Sequence, residues 1–276
     1  MRTLLAASLL LVTTAALAEI QLPEASPAST ITHEIGISKV TIAFHRPGIK
    51  GRQVWGELVP TGKVWRLGAN NATTLELSHD AKVNGHAVPA GKYALFAIPD
   101  ASKWTMILNK KHDQWGAYFY KAEEDQLRFD VRPEAAELTE WFDVDLVPVS
   151  DRALRVDFTW EKVRVPFTIE FDVPALVWKQ IDATLAASPT WEDWHQAARY
   201  AYNTNQRLDD ALVWIDKAMA TESFWNYELK GMLLHKKGRT EEALPLMAKA
   251  KELAKGKAPQ EWLDGVDKTV AGWKKK

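Results

Sequence analysis

Residues 73–98 read TTLELSHDAKVNGHAVPAGKYALFAI, and their spacing decides the fold class of the first half of the chain. Leu75 and Leu77 alternate with Thr74, Glu76 and Ser78, which is the period of a strand with one apolar face. Asn84-Gly85 sits between Val83 and His86. Both residues tolerate positive φ, so the pair predicts a type I′ hairpin turn. Pro89-Ala90-Gly91 marks another turn before the apolar run Tyr93–Ile98. Working outward, the same period of two recurs at Ile35 and Ile37 and at Val40, Ile42 and Phe44. It recurs again through Trp104–Leu108, Leu127–Val131, Trp141–Val149, Leu154–Trp160 and Val163–Phe171. That makes about nine short strands with frequent turn signals and no helical period before Val173. The expected fold of residues 31–173 is an antiparallel, jelly-roll-like β-sandwich. Residues 19–30, with Pro23 and Pro27, read as a linker leading into it.

One stretch upstream breaks the pattern. Residues 45–71, HRPGIKGRQVWGELVPTGKVWRLGANN, hold too many Gly and Pro for a helix. They also hold too many large apolar side chains for a solvated loop, so an ordered loop with a function is expected. Its candidate ligand-binding residues are Arg52, Arg66, Asn70 and Asn71, with Trp65 in the loop and Trp115 further on. Arg offers a rigid fork to carboxylate or phosphate, Asn both donates and accepts, and Trp offers a stacking face. The set suits a small anionic ligand, a peptide carboxylate or a sugar. The structural alternative is an Arg that binds loop carbonyls, with Asn filling left-handed turn positions. Both readings stay open at the level of sequence.

The loop and the strands after it resemble the domain of unknown function 2911 family. The residues that carry the resemblance are Arg46-Pro47, Lys50-Gly51-Arg52, Gly56-Glu57-Leu58-Val59-Pro60, Gly62-Lys63-Val64-Trp65-Arg66, Gly68-Ala69-Asn70 and Ala72-Thr73-Thr74. Later ones are Val88 to Phe96, Trp104-Thr105, Asn109, Gln114-Trp115-Gly116 and Val165-Pro166-Phe167. The resemblance covers residues 31–173. It implies an exported β-rich domain and no established chemistry. Leu67 stands where members usually carry a small polar residue, and Asn71 where they usually carry Glu, so an activity resting on that Glu would be missing here.

Composition bounds the remaining possibilities. A length of 276 residues allows two domains, and 46% hydrophobic with 26% charged residues describes a chain that folds. A formal net charge of −1 gives no steering toward nucleic acid. Cys is absent, which removes disulfides, thiol nucleophiles and Cys-based metal sites together. The seven His include no H-x-H pair and no H-E-x-x-H, so no metal and no cofactor is expected. His45, His79 and His112 are the set that separate strands could bring together, although isolated spacing favours surface roles. No G-x-S-x-G, P-loop or dinucleotide fingerprint is present. Glu57 with Glu76, or Asp113 with Glu161, are the carboxylate pairs open to acid–base work, but spacing alone does not bring either pair together. Two function classes remain: a non-enzymatic binding or adaptor module of the cell envelope, or a small-molecule hydrolase using the same loop with a carboxylate or His. The lack of catalytic signatures favours the first.

At Pro174 the texture changes. Leu176, Val177, Ile181 and Leu185 follow a helical period, and Ser188-Pro189 reads as the start of a second helix. Arg207 to Leu212 and Arg239 to Leu244 are similar, with Ala211 and Ala243 32 residues apart. That spacing is near the roughly 34-residue tetratricopeptide period. Residues 174–276 are therefore expected to form an all-α, tetratricopeptide-like domain that offers a surface to a protein partner.

The N-terminus reads as a signal peptide, residues 1–18: Arg2, an apolar run from Leu4 to Val12, then Ala16-Leu17-Ala18. The run is too short to span a bilayer, so a periplasmic or secreted protein without a membrane span after cleavage is expected. Intact-mass analysis of natively expressed protein is expected to show Glu19 as the first residue. Met1 retained on cytosolic protein would refute export.

Overall fold

In the computed structural model, which describes residues 22–273, the chain runs through strands first and helices second. The leader expected at residues 1–18 lies outside the described residues. The strands are β1 (Ala28–Ile35), β2 (Ser38–His45), β3 (Thr73–Leu77), β4 (Ala81–Val83), β5 (His86–Val88), β6 (Gly91–Ile98), β7 (Trp104–Asn109), β8 (Asp125–Val131), β9 (Glu134–Pro148) and β10 (Ala153–Glu170). They form a six-stranded sheet, β1-β2-β3-β6-β7-β8, and a four-stranded sheet, β5-β4-β10-β9. Every pairing is antiparallel.

Alternation accounts for most of this. In β2 the side chains of Val40, Ile42 and Phe44 are buried and those between them are not. Asn84 (φ 48°) and Gly85 (φ 84°) both take positive φ, and Val83 pairs with His86 across them. β6 departs from simple alternation, with Tyr93 to Ala97 all buried. Its register explains this: it lies inside the sheet between β3 and β7, and both of its faces are covered. Ala94, Phe96, Ile107 and Ala72 form a second small core on one face, closed by Val64, Ile98, Ala117 and Tyr120. On the other side, aromatic contacts join the two sheets. Phe44 meets Phe142 at 6.0 Å between centroids, and Phe129 meets Phe167 at 5.5 Å.

Residues 154–160 and 163–171 read as separate strands, whereas β10 is continuous to Glu170. Its register against β9 shifts between Thr159 and Glu161 and again before Val163, and Glu161 takes φ 54°. The buried positions change parity there, from Leu154, Val156, Phe158 and Trp160 to Val165, Phe167 and Ile169. A bulge resets the alternation without ending the strand.

The chain divides into two compact units between Phe171 and Asp172. The second holds α1 (Val173–Ala186), α2 (Trp191–Thr204), α3 (Leu208–Ala218), α4 (Phe224–Lys236), α5 (Thr240–Ala254) and α6 (Gln260–Trp273). Asp172 caps α1 by accepting from the Ala175 N–H. The second helix does not begin at Ser188-Pro189. Thr190 is its N-cap, bonded reciprocally with Asp193 in a capping box. Small residues set the helix spacing: Ala211, Ala218, Ala243 and Ala250 are wholly buried, and a Cβ on Gly231 would lie 2.7 Å from Met247 Sδ.

One glycine fixes the long first loop. Gly68 has φ +134°, and a Cβ there would lie 2.8 Å from the His45 carbonyl oxygen. Gly68→Ala is expected to cost about 2–4 kcal/mol in urea denaturation. Gly51→Ala, at φ +70° with open space around it, is expected to cost about 1 kcal/mol. Equal costs would refute the close approach at Gly68.

Candidate functional site

The long loop is pinned by Trp65. Its N–H donates to the Ala97 carbonyl and its carbonyl accepts from the Ala97 N–H, each at 2.8 Å. From there the chain reverses tightly. The Arg66 carbonyl accepts from the Thr73 N–H at 3.1 Å, and the Thr73 hydroxyl donates to the Leu67 carbonyl. Leu67 (φ 52°) and Asn70 (φ 53°) take left-handed backbone inside this reversal, and Leu67 is fully buried. A small polar residue would accept that backbone more readily than Leu.

The edge of the reversal pairs with the loop after β7. The Ala72 N–H donates to the Gln114 carbonyl and the Gly116 N–H to the Asn70 carbonyl, both at 3.0 Å. Asn71 stands opposite Trp115 in an antiparallel bridge. Beyond them the chain exposes a run of large rings: Trp115 is 57% exposed, Tyr118 79% and Phe119 68%. Gly116 (φ +67°) makes room for Tyr118, since a Cβ there would lie 2.7 Å from the Tyr118 ring.

Asn109, wholly buried at the end of β7, holds that loop down. Its amide nitrogen donates to the Lys121 carbonyl at 3.0 Å and to Asp125 Oδ1 at 2.8 Å. Its oxygen accepts from the Lys111 N–H at 3.0 Å and from Gln114 Nε2 at 3.2 Å. Tyr120 closes the other end. Its hydroxyl donates to Asp125 Oδ2 at 2.7 Å, and burial, with Asp125 beside it, pushes its pKa up to about 12.

The five residues singled out from sequence have different surroundings. Arg66 is half-buried, its Nε is sealed from solvent, and its side chain has no hydrogen bond or ion pair among the described residues. Burial pushes its pKa down, and Tyr118 lies near enough to oppose that shift. Asn71 is exposed, with its side chain equally uncommitted. It lines a groove of ≈ 390 Å³ together with His45, His112 and Gln114. Asn70 is engaged: its amide donates to Glu24 Oε2 at 2.8 Å, and the same carboxylate lies 3.3 Å from His45 Nε2. Arg52 is engaged too. It donates to the carbonyls of Ile49 at 3.0 Å and Gly48 at 2.6 Å, as an Arg that clasps its own loop does. Thus Arg66, Asn70, Asn71 and Trp115 belong to two loops paired with each other, while among the described residues no hydrogen bond or ion pair ties Arg52 to them.

His79, held by the Ser78 hydroxyl at 3.0 Å, does not line the groove that His45 and His112 share. Among the described residues no three His, Asp or Glu stand close enough to hold a metal ion. Tyr118 and Phe119 were not singled out by sequence. Their signal was an aromatic run, Tyr118-Phe119-Tyr120, set between polar segments. Gln114 is the other addition: it is buried, its Nε2 donates to Asn109 Oδ1 and the Lys111 carbonyl, and its Oε1 has no partner among the described residues.

These loops fall within residues 26–169, which match the model of a family described as a protein of unknown function, DUF2911. The chain belongs to that family. No curated protein and no solved structure matches it. In this DUF2911 domain, Asn109 and Arg66 should separate cleanly by stability. Asn109→Ala strands several buried groups and is expected to cost about 2–4 kcal/mol. Arg66→Ala breaks no side-chain hydrogen bond among the described residues, and relief of the unpaired, sealed Nε–H offsets lost packing, so it is expected to stay within about 1 kcal/mol of the parent. Urea unfolding of the two variants measures both.

Proposed function

We propose that the protein is an exported, non-enzymatic binding or adaptor module of the cell envelope. On this reading its first unit is a jelly-roll-like β-sandwich that takes a small anionic or sugar-like ligand at Arg66 and the rings of the Trp115–Phe119 loop. The helical unit is a tetratricopeptide-like surface for a protein partner, and the leader directs the chain to the periplasm or outside. The observation that carries the ligand site is the buried Arg66 Nε without an acceptor. A guanidinium N–H shut off from water loses hydration that only an acceptor restores, and none of the described residues supplies one to Arg66 Nε. Exposed rings beside it offer faces for the apolar side of a sugar or another ring. Asn71 adds an uncharged donor and acceptor and leaves the cationic character of Arg66 undiminished.

For the remaining parts of the reading, the apposed aromatic contacts between the two antiparallel sheets support a sandwich. The buried small residues at Ala211, Ala218, Gly231, Ala243 and Ala250 support close helix pairing of the repeat type. None of the described helices is long and apolar enough to cross a membrane.

Thermal-shift and calorimetric titration with galacturonate, inorganic phosphate and neutral galactose tests the ligand site. Galacturonate is expected to bind and galactose to bind at least tenfold more weakly. Arg66→Ala is expected to reduce galacturonate affinity by about tenfold or more, the loss of one charge-assisted pair. Trp115→Ala is expected to weaken it by a smaller factor. Anion binding that is unchanged in Arg66→Ala would overturn the site.

A further inference from the structure

In the helical unit, a set of polar groups with no role in the first site converges on one groove. Trp191, His195 and Arg199 recur at intervals of four along one face of α2, and Trp225 and Glu228 three apart on α4. These two faces line a groove of ≈ 450 Å³. His195 is buried, and its Nδ1 lies 2.7 Å from Oδ1 of the wholly buried Asn226. The Asn226 amide nitrogen donates to the Ala218 carbonyl at 2.9 Å and to the Thr221 carbonyl at 3.1 Å. Its oxygen is therefore fixed as the acceptor, and His195 Nδ1 must carry the proton. Burial lowers the His195 pKa, against the Asn226 hydrogen bond, which keeps the ring neutral at pH 7. A neutral ring protonated on Nδ1 keeps its lone pair on Nε2. Nε2 has no partner among the described residues.

The charges of the groove are unevenly committed. The Arg199 guanidinium is already paired with Glu228 at 3.2 Å, so the single cation of the lining is used. Glu192, exposed at the groove, has no ion pair among the described residues. The uncommitted groups are Nε2, the Glu192 carboxylate and the Gln196 amide, which both donates and accepts, and the charged lining carries one more carboxylate than guanidinium. The indoles of Trp191 and Trp225 add two faces with negative quadrupole.

We propose that this groove binds a small organic cation, a protonated amine on an apolar body. Its ammonium donates to His195 Nε2 and faces Glu192, and its body lies against Trp191 and Trp225. The volume fits a molecule of this size, since ligand pockets of roughly 300–1,000 Å³ are typical. An anionic ligand would find no free cation there, and a neutral apolar one would leave Nε2 and Glu192 unsatisfied.

Titration of the full chain with 2-phenylethylammonium, followed by tryptophan fluorescence and calorimetry, tests the proposal. The neutral 2-phenylethanol and the anionic phenylacetate are the isosteric controls. Saturable binding of the ammonium is expected, with both controls at least about tenfold weaker. Glu192→Gln, a surface substitution that leaves the helix core untouched, is expected to weaken the ammonium by about three- to tenfold. Trp225→Ala is expected to weaken it and to remove part of the fluorescence change. Absence of saturable binding, equal binding of 2-phenylethanol, or unchanged affinity in Glu192→Gln would overturn the proposal.

Discussion

The indole of Trp65 lies within 6.2 Å, centroid to centroid, of the rings of Trp55, Trp104, Phe142 and Trp160, and the order of the long loop arises from those contacts. Trp104 belongs to β7 of the six-stranded sheet, and Phe142 and Trp160 to β9 and β10 of the other. A residue of an irregular connection therefore fills the space where both sheets present aromatic side chains. Each such pair contributes about 0.5–1.5 kcal/mol beyond its buried area, enough together to offset the ordering of many loop residues. With Trp65 fixed and bonded on both sides to Ala97, the next residue has little freedom. Arg66 is displayed where the core places it.

A second constraint is polar. The outer face of β6 and β7 carries Phe96 and Ile107, which cannot face water, and the loop after β7 covers them. That loop brings its own carbonyls and N–H groups toward the buried surface, and each needs a partner. Asn109 supplies four hydrogen bonds from one side chain and ties Lys111, Gln114, Lys121 and Asp125 to the end of β7. A buried network of this kind holds its geometry tightly because any partial break strands several groups at once. The rings of Trp115, Tyr118 and Phe119 are thus carried on a loop with a rigid base, although they themselves are exposed.

Much of the architecture was legible because burial is periodic. The alternation in β2 and β3, the Asn84-Gly85 turn and the change of texture at Pro174 each have a local cause that one segment reveals. The features that were not legible depend on a distant partner. Glu161 gives no sign that β10 continues through it, because the bulge is defined against β9. The start of α2 is the exception and was legible locally: Ser188-Pro189 offers an N-cap with Pro at N1, but only Thr190 has an acid three residues on, Asp193, to close a capping box. Arg52 and Arg66 look alike in a Gly-flanked loop. One finds the carbonyls of Gly48 and Ile49 within its own turn, and the other is carried away from any carbonyl by the Trp65 anchor. The pairing of Asn71 with Trp115, 44 residues later, has no counterpart in local spacing.

That difference between Arg52 and Arg66 is the step from structure to function. Folding stability favours polar groups that are paired or solvated, and a buried group that is neither costs about 1–3 kcal/mol, more when charged. Arg52, Asn70 and Asn109 all meet the rule, so stability alone explains them. Arg66 Nε in the first unit does not, and in the second unit His195 meets it through Asn226 while its Nε2, at the groove, has no partner among the described residues. The unpaired Nε–H of Arg66 gives folding nothing, whereas the His195 bond to Asn226 satisfies a wholly buried amide oxygen. An apolar side chain at 66 would avoid that cost, while one at 195 would strand Asn226 Oδ1, so the two ligand proposals rest on Arg66 Nε and on the free lone pair of His195 Nε2. The two also differ in sign. Arg66 is a cation lacking an acceptor, and His195 with Glu192 is a pair of acceptors lacking a donor, so one ligand chemistry does not satisfy both.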